Sequence, residues 1–281
     1  PTDILLSTGD ATWMAAAGPV VADSVYDGET FDGSKANLDT LEWSPAPVLA
    51  ASLAPRGEMV PWSAPPVQVS RVVKPAGITN PKPNIYVVDF GANLAGVVEL
   101  RGLANCQSGE SLTLRHAEIM QHGGLPGLPN PDPTMIYQAN LRSARATDTY
   151  LCAGASSPLT WSPKFTYHGF RFVEVDLTNA KGVEFTADNI VMLHFHSNLP
   201  QRTNATFSSP TLTRLQAMAL GAQRSNFMTV PTDCDQRDER LGWMGDANLS
   251  GDSMFLNFDA AAFMKFFLQG IAGEQGADGS M

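Results

Sequence analysis

The chain has 281 residues, 43% hydrophobic and 16% charged, and its 18 basic against 28 acidic side chains give a formal charge of −10. That length suits two packed cores rather than one. The acidic balance speaks against a nucleic-acid partner, which needs a basic face, and without a run of about eighteen apolar residues no membrane-spanning helix is expected.

Residues 1 to about 60 hold short apolar runs broken by polar turns, such as Asp23-Ser24-Val25-Tyr26-Asp27-Gly28-Glu29, and are expected to close an N-terminal β domain. Nine prolines between Pro45 and Pro83 exclude a helix or a central strand there and suggest an extended connection. The β-branched run Ile85 to Phe90 then predicts a strand, Gly91 to Gly96 a turn, and Val97 to Leu100 another strand, with further strands at Ser111–His116, Phe165–Val175 and Ile190–His196. Between them, Gly123 to Pro133 is a loop with four prolines. Residues 61–205 are expected to form one antiparallel β-sandwich.

At Ser209-Pro210 the period changes from two to 3.6. Leu212, Leu215, Met218 and Ala222 fall at helical spacing, a second helix is expected from about Asp238, and a third from Asp259 with Phe263, Phe266 and Phe267 inward. Residues up to about 205 should therefore be β and those after about 209 helical. Strands first and helices afterwards indicate separate domains, β then α.

The cysteines Cys106, Cys152 and Cys234 include no C-x-x-C pair, so neither a zinc ribbon nor a thioredoxin-like site is available and at most one disulfide is expected. The chain starts at Pro1 without a leader-like segment and reads as a piece of something longer; the sequons at Asn204 and Asn248 leave its compartment open.

The densest chemistry lies in Asp233-Cys234-Asp235-Gln236-Arg237-Asp238-Glu239-Arg240-Leu241-Gly242-Trp243-Met244-Gly245-Asp246. A helix from Asp238 would place Glu239, Trp243 and Asp246 on one stripe, with Asp233 reaching the same end from the loop. Carboxylates bind sugar hydroxyls, an indole packs on the apolar face of the ring, and crowded acids favour a proton on one of them. The competing reading is a solvated helix start with Arg237 and Arg240 as ion-pair partners. Gly242 and Gly245 weaken a helix, which suggests close approach to a ligand. His194 and His196 share one strand face but lack an acidic third ligand, so no metal is expected; His116, His122 and His168 are isolated and read as structural. Gly91 to Gly96 lacks the residues of a phosphate loop, and no G-x-S-x-G elbow is present.

The acidic segment resembles the signature of α-L-rhamnosidases, glycoside hydrolase family 78. Val25-Tyr26-Asp27-Gly28-Glu29-Thr30-Phe31-Asp32 is similar to the end of that family's N-terminal β domain. Tyr86 to Gly96, Leu114-Arg115-His116-Ala117-Glu118 and Phe165-Thr166-Tyr167-His168-Gly169-Phe170-Arg171 resemble its central β-sandwich, and Ser225-Asn226-Phe227 with Pro231-Thr232-Asp233-Cys234 the entry to its catalytic barrel.

The resemblance implies three parts: the end of a β domain with its linker (1–60), a concanavalin-like β-sandwich (61–205), and the first helices of an (α/α)6 six-hairpin barrel (206–281). It implies inverting hydrolysis of terminal α-L-rhamnosides without a cofactor, Glu239 as general acid, and Asp233, Arg237, Trp243 and Asp246 around the rhamnose ring. Asp235 stands where the family usually has proline. The family's general base falls beyond Met281, so the implied partners are a rhamnose-containing glycoside and the remainder of the barrel, in the same polypeptide or an associated fragment. The alternative is a non-catalytic carbohydrate-binding β protein.

Overall fold

The β-branched run that opens at Ile85 does not stop at the glycines after it. In the computed structural model, which describes residues 12–47, 50, 52–53, 60–154 and 158–280, Ile85–Leu103 is one strand of 19 residues. Gly91 takes φ +77, a left-handed value that costs glycine least. Gly96 lies so close to the next strand that a Cβ would meet the Leu193 carbonyl oxygen at 2.1 Å. The expected turn is thus a bend inside a strand, where glycine permits curvature and close approach.

The elements in order are β1 (Met14–Ala15), β2 (Val20–Ser24), β3 (Gly28–Asp32), β4 (Ser44–Pro45), β5 (Val67–Val73), β6 (Gly77–Lys82), β7 (Ile85–Leu103), β8 (Ser111–Ala117), β9 (Ile119–Met120), β10 (Ile136–Tyr137), β11 (Thr147–Leu151), β12 (Leu159–Trp161), β13 (His168–Asp176) and β14 (Ile190–Ser197). After them come α1 (Pro210–Ser225), β15 (Phe227–Met228), β16 (Val230–Pro231), α2 (Met244–Asn257) and α3 (Ala261–Glu274).

Ten strands form one sheet in the order β2-β3-β11-β8-β13-β7-β14-β5, with β6 and β12 also paired to β7. A flat path of eight strands would spread over roughly 34 Å at the usual spacing. Here Phe31 near one end and Val73 at the other pack on the same core, built from Val88, Leu100, Leu112, Phe170, Val175, Ile190 and their neighbours. The sheet therefore curls around its own interior. The long β7 makes this possible by pairing with different partners along its two halves. Residues 20–32 join the same sheet, β3 running parallel to β11 with Thr149 opposite Thr30.

Two expectations are corrected here. The proline-rich stretch is not only a connection, because it contains β5 and β6. Its prolines do not interrupt a central ladder: Pro65 and Pro66 precede β5, Pro75 lies between the strands, and Pro81 sits in β6, which pairs only with β7. The region after residue 209 is not continuously helical either. α1 starts after Ser209 as expected, but residues 226–243 hold β15, β16 and a long loop, so the second helix begins at Met244 rather than near Asp238.

A second core gathers Leu199, Phe227, Met254, Phe258, Ala260 and Phe263. Phe263 and Phe267 point inward as the spacing predicts, but Phe266, expected inward with them, is only half-buried, its ring 4.7 Å from that of Trp62, and the α1 stripe of Leu212, Leu215 and Met218 is exposed. Among the described residues no helix is long and apolar enough to cross a membrane.

Cys106 and Cys152 are joined, with their Cα atoms 5.6 Å apart, and Cys234 is a buried free thiol. The link spans a sequence separation of 46, and closing such a loop restricts the unfolded chain by about 2–4 kcal/mol. Thiol titration in denaturant should find one reactive thiol before reduction and three after. Replacing Cys106 and Cys152 together by serine should lower unfolding stability by about that amount; three free thiols in the untreated protein would contradict the pairing.

Candidate active site

Arg240 shapes the loop between β16 and α2. Its φ of +48 cannot belong to a right-handed helix, and its guanidinium turns inward to 7% exposure. There it donates to the carbonyl oxygens of Val25 and Tyr167 from distant segments, and to those of Gln236 (2.8 Å) and Arg237 (3.0 Å) in its own loop. It also lies over the rings of Tyr26 and Tyr167 at 5.6 and 5.1 Å. Burial lowers its guanidinium from the ordinary value. A cation satisfied by four carbonyl dipoles outweighs the turn of helix that Asp238 to Gly242 would otherwise form.

The expected helical stripe of Glu239, Trp243 and Asp246 therefore does not exist. Glu239 is in the loop, Trp243 caps α2 with extended backbone, and Asp246 is in the helix's first turn. Gly242 is also accounted for without a ligand, because a Cβ there would meet the Phe267 ring at 2.7 Å.

The structure brings Asp233, Arg237 and Glu239 together by another route. Arg237 stands 3.1 Å from Glu239 Oε2 and 3.6 Å from Asp233 Oδ2. Asp233 Oδ1 accepts the Leu241 amide at 2.9 Å, closing the loop two residues short of Trp243. Trp243, 48% exposed, and Asp246 stand outside this network.

Residues from the sheet region complete the setting. The Tyr26 hydroxyl donates to the Glu239 carbonyl at 2.7 Å, and the Arg142 guanidinium approaches Glu239 Oε2 at 3.1 Å. Ser143 holds Asp238 Oδ2 through its hydroxyl and its amide. Sequence reading missed Tyr26, Arg142 and Ser143. They lie 213, 97 and 95 positions from their partners, beyond the reach of local periodicity.

Asp235 lies beneath the loop at 8% exposure. Its carboxyl occupies the space a side chain at Gly169 would need, 2.4 Å from a Cβ built there. Burial, then repulsion from Glu118, raises its carboxyl to about 7 from an ordinary 3.8, with Arg240 and the Ser225 hydroxyl opposing. Glu118 in turn accepts from Asn93 (2.7 Å), Asn140 (2.9 Å) and Gln236 (3.2 Å), tying the loop to the sheet.

His116 and His168 are not isolated. Their rings stack at 4.1 Å, and His168 Nε2 lies 3.1 Å from both Asp148 oxygens. Burial, then the neighbouring His168, lowers His116 to about 3. Burial alone would raise Asp148, but the adjoining His168 holds it below its ordinary value. These three residues, and separately Asp233, Cys234 and Glu239, place ligand-type atoms within 4.8 Å of one another. In the second set the Arg237 guanidinium already pairs with both Asp233 and Glu239. His194 and His196 point their Nδ1 atoms at the carbonyls of Ala95 (2.7 Å) and Ser197 (2.9 Å), as buried structural histidines do.

The comparisons with known proteins agree with this architecture. The models of the bacterial α-L-rhamnosidase concanavalin-like domain and of its six-hairpin glycosidase domain match residues 79–196 and 201–281. An α-L-rhamnosidase of Streptomyces avermitilis is 37% identical over 97% of this chain and 25% of its own length. The solved α-L-rhamnosidase of Dictyoglumus thermophilum superposes with a TM-score of 0.82 at 31% identity, covering 97% of this chain and 30% of that one. The S. avermitilis enzyme complexed with L-rhamnose also gives 0.82, at 33% identity, covering 96% of this chain and 25% of that one.

A curled β-sheet followed by a matched glycosidase domain defines the class, a glycoside hydrolase. Within it, the chain belongs to the α-L-rhamnosidase family, and it spans about a quarter to a third of the length of these relatives.

Two outcomes follow from the geometry. Arg240→Met leaves four carbonyls without their cation and should cost about 3 kcal/mol or more in urea unfolding. For Asp235, the folded carboxyl near 7 keeps a proton that the unfolded chain, at 3.8, has released. Its stabilising effect is complete below about pH 4 and lost as pH rises through about 7. Asp235→Asn should therefore gain stability relative to the parent as pH is raised from 5 to 8; a difference independent of pH would refute the assignment.

Proposed function

We propose that this chain is the acid-bearing portion of an α-L-rhamnosidase, which hydrolyses terminal non-reducing α-L-rhamnose from rhamnosides with inversion. The observation that carries the reading is the gathering of Asp233, Arg237 and Glu239 at 3.1 to 3.6 Å in one loop, with Arg237 and Glu239 half-buried and the Asp233 carboxylate buried beside them. Support comes from relatives named α-L-rhamnosidase, one of them complexed with L-rhamnose.

Glu239 protonates the glycosidic oxygen as it leaves. Asp233, Arg237 and Asp246 bind the sugar hydroxyls, and the exposed Trp243 offers its indole to the apolar face of the ring. An inverting reaction also needs a carboxylate on the opposite face to activate water, and in this reading the remainder of the barrel supplies it. The division proposed is a β region with its linker through residue 60, whose β2 and β3 pair into the sheet of the β-sandwich over 61–205, and the opening of the (α/α)6 barrel over 206–281. The exposed Leu212, Leu215 and Met218 of α1, with Leu249 and Leu256 of α2, form the apolar surface against which further barrel helices pack.

A second reading, a non-catalytic carbohydrate-binding protein, is favoured by the two arginines on Glu239 Oε2, a setting suited to holding a ligand through a fixed carboxylate.

Release of p-nitrophenol from its α-L-rhamnoside by the full-length enzyme decides between the two, and binding without turnover would select the second. The 281-residue chain alone should show little or no turnover. In the full-length enzyme, Glu239→Gln should lose about a hundredfold or more on poor leaving groups, the scale of general acid catalysis. Dinitrophenyl substrates, which need no proton, should be partly spared. Equal loss on both would remove Glu239 as the acid.

A further inference from the structure

The two oxygens of Glu239 have different surroundings. Oε2 is contacted by Arg142 Nη1 at 3.1 Å and by Arg237 Nε at 3.1 Å. Among the described residues, Oε1 makes neither a hydrogen bond nor an ion pair. Arg237 belongs to the same loop as Glu239, but Arg142 arrives from the segment between β10 and β11. Its backbone there is left-handed, with φ +61, and the next residue, Ser143, grips Asp238. The same connection is pinned at its other end, where the Ala146 and Thr147 amides donate to the Tyr26 and Asp27 carbonyls.

We infer that Arg142 is a positioning residue for the acid: it holds Glu239 Oε2 as the hydrogen-bond-accepting oxygen, so that Oε1 carries the proton delivered to the glycosidic oxygen. The inference rests on Glu239 being the general acid. A guanidinium only donates, so it binds the carboxylate in the ionised state and the carbonyl oxygen in the protonated state. The acid therefore keeps one orientation through the proton transfer, during which the Oε1–H bond breaks as a new O–H bond forms on the leaving group. Such constancy matters because proton transfer depends on a donor held within hydrogen-bond reach.

The charged groups facing Glu239 are Arg142 from the sheet region, and Arg237 and Asp233 from its own loop, with Asp238 and Arg240 alongside. The Cys234 thiol is also near. From the β2–β3 turn comes the Tyr26 hydroxyl, while Asp27 is engaged by Arg145.

The test uses the full-length enzyme with Arg142→Ala, Arg142→Lys and Glu239→Gln, comparing poor and dinitrophenyl leaving groups. Arg142→Ala is expected to lower kcat on poor leaving groups about tenfold or more while KM changes less than about threefold, and to spare the dinitrophenyl substrate. Arg142→Lys should return kcat to within about threefold of the parent and restore the parent's leaving-group pattern.

A merely structural role would lower both substrates together, and that result, or an unchanged Arg142→Ala enzyme, overturns the inference. Should Arg142→Ala fail to fold, the lysine variant decides: a parent-like leaving-group pattern supports the inference, and equal loss on both substrates overturns it. Glu239→Gln separates the two levels of the argument. If it slows good and poor leaving groups equally, the acid assignment falls and takes the inference with it. If it shows the expected contrast while Arg142→Ala changes nothing, the role of Arg142 alone is lost.

Discussion

The candidate site depends on one buried cation. The Arg240 guanidinium reaches carbonyls in three separate parts of the chain, at Val25, at Tyr167 and within its own loop, and sits over two tyrosine rings. A buried charge is expensive unless its donors are used, and here the partners are carbonyl dipoles, two beside the sheet at Val25 and Tyr167 and two in the loop at Gln236 and Arg237. The loop takes the shape the cation requires. Left-handed backbone at residue 240 ends any helical path through Asp238 to Gly242, and Glu239 is turned toward Arg142 and Arg237 as a consequence.

The curled sheet is what makes those carbonyls available at the right separation. β7 bends at Gly91, runs on for the rest of its 19 residues and pairs with β13 and β14 at different heights. This places Tyr167 and His168 at the start of β13 against the β2–β3 hairpin, where Thr166 donates to Ser24 and Glu29 receives the amides of Lys164 and Phe165. The platform under the loop therefore combines segments far apart in the sequence, Thr166 and Ser24 being separated by 142 positions. It is also tightly filled: Gly169 leaves room for the Asp235 carboxyl and Gly242 for the Phe267 ring. These glycines are packing positions, and a methyl group at either would push the loop off its support.

Much of the fold was legible from pattern alone. The strand-rich first two thirds, the start of α1 after Ser209 and the inward face of Phe263 and Phe267 follow from periodicity, which reports which side of an element is buried. The ordered motifs located the acidic loop and its family. Errors fell where a local rule met a distant partner: Gly91 to Gly96 as a turn, prolines as a connection, His116 and His168 as isolated, and Asp238 as a helix start. Leu212, Leu215 and Met218 were correctly spaced, yet their exposure depends on what packs against α1.

The sequence by itself determined the succession of strands and then helices, and it put forward Asp233, Arg237, Glu239, Trp243 and Asp246 as the candidate site groups. Only the tertiary structure decided how those groups meet. Helical spacing proposed a stripe of Glu239, Trp243 and Asp246; the folded chain instead joins Asp233, Arg237 and Glu239 and brings Arg142 to them from 97 residues away. The physical reason is that local propensity is worth a few tenths of a kcal/mol per residue, whereas satisfying a buried guanidinium is worth about several times that. The partners that satisfy Arg240 are neighbours only after the sheet has closed.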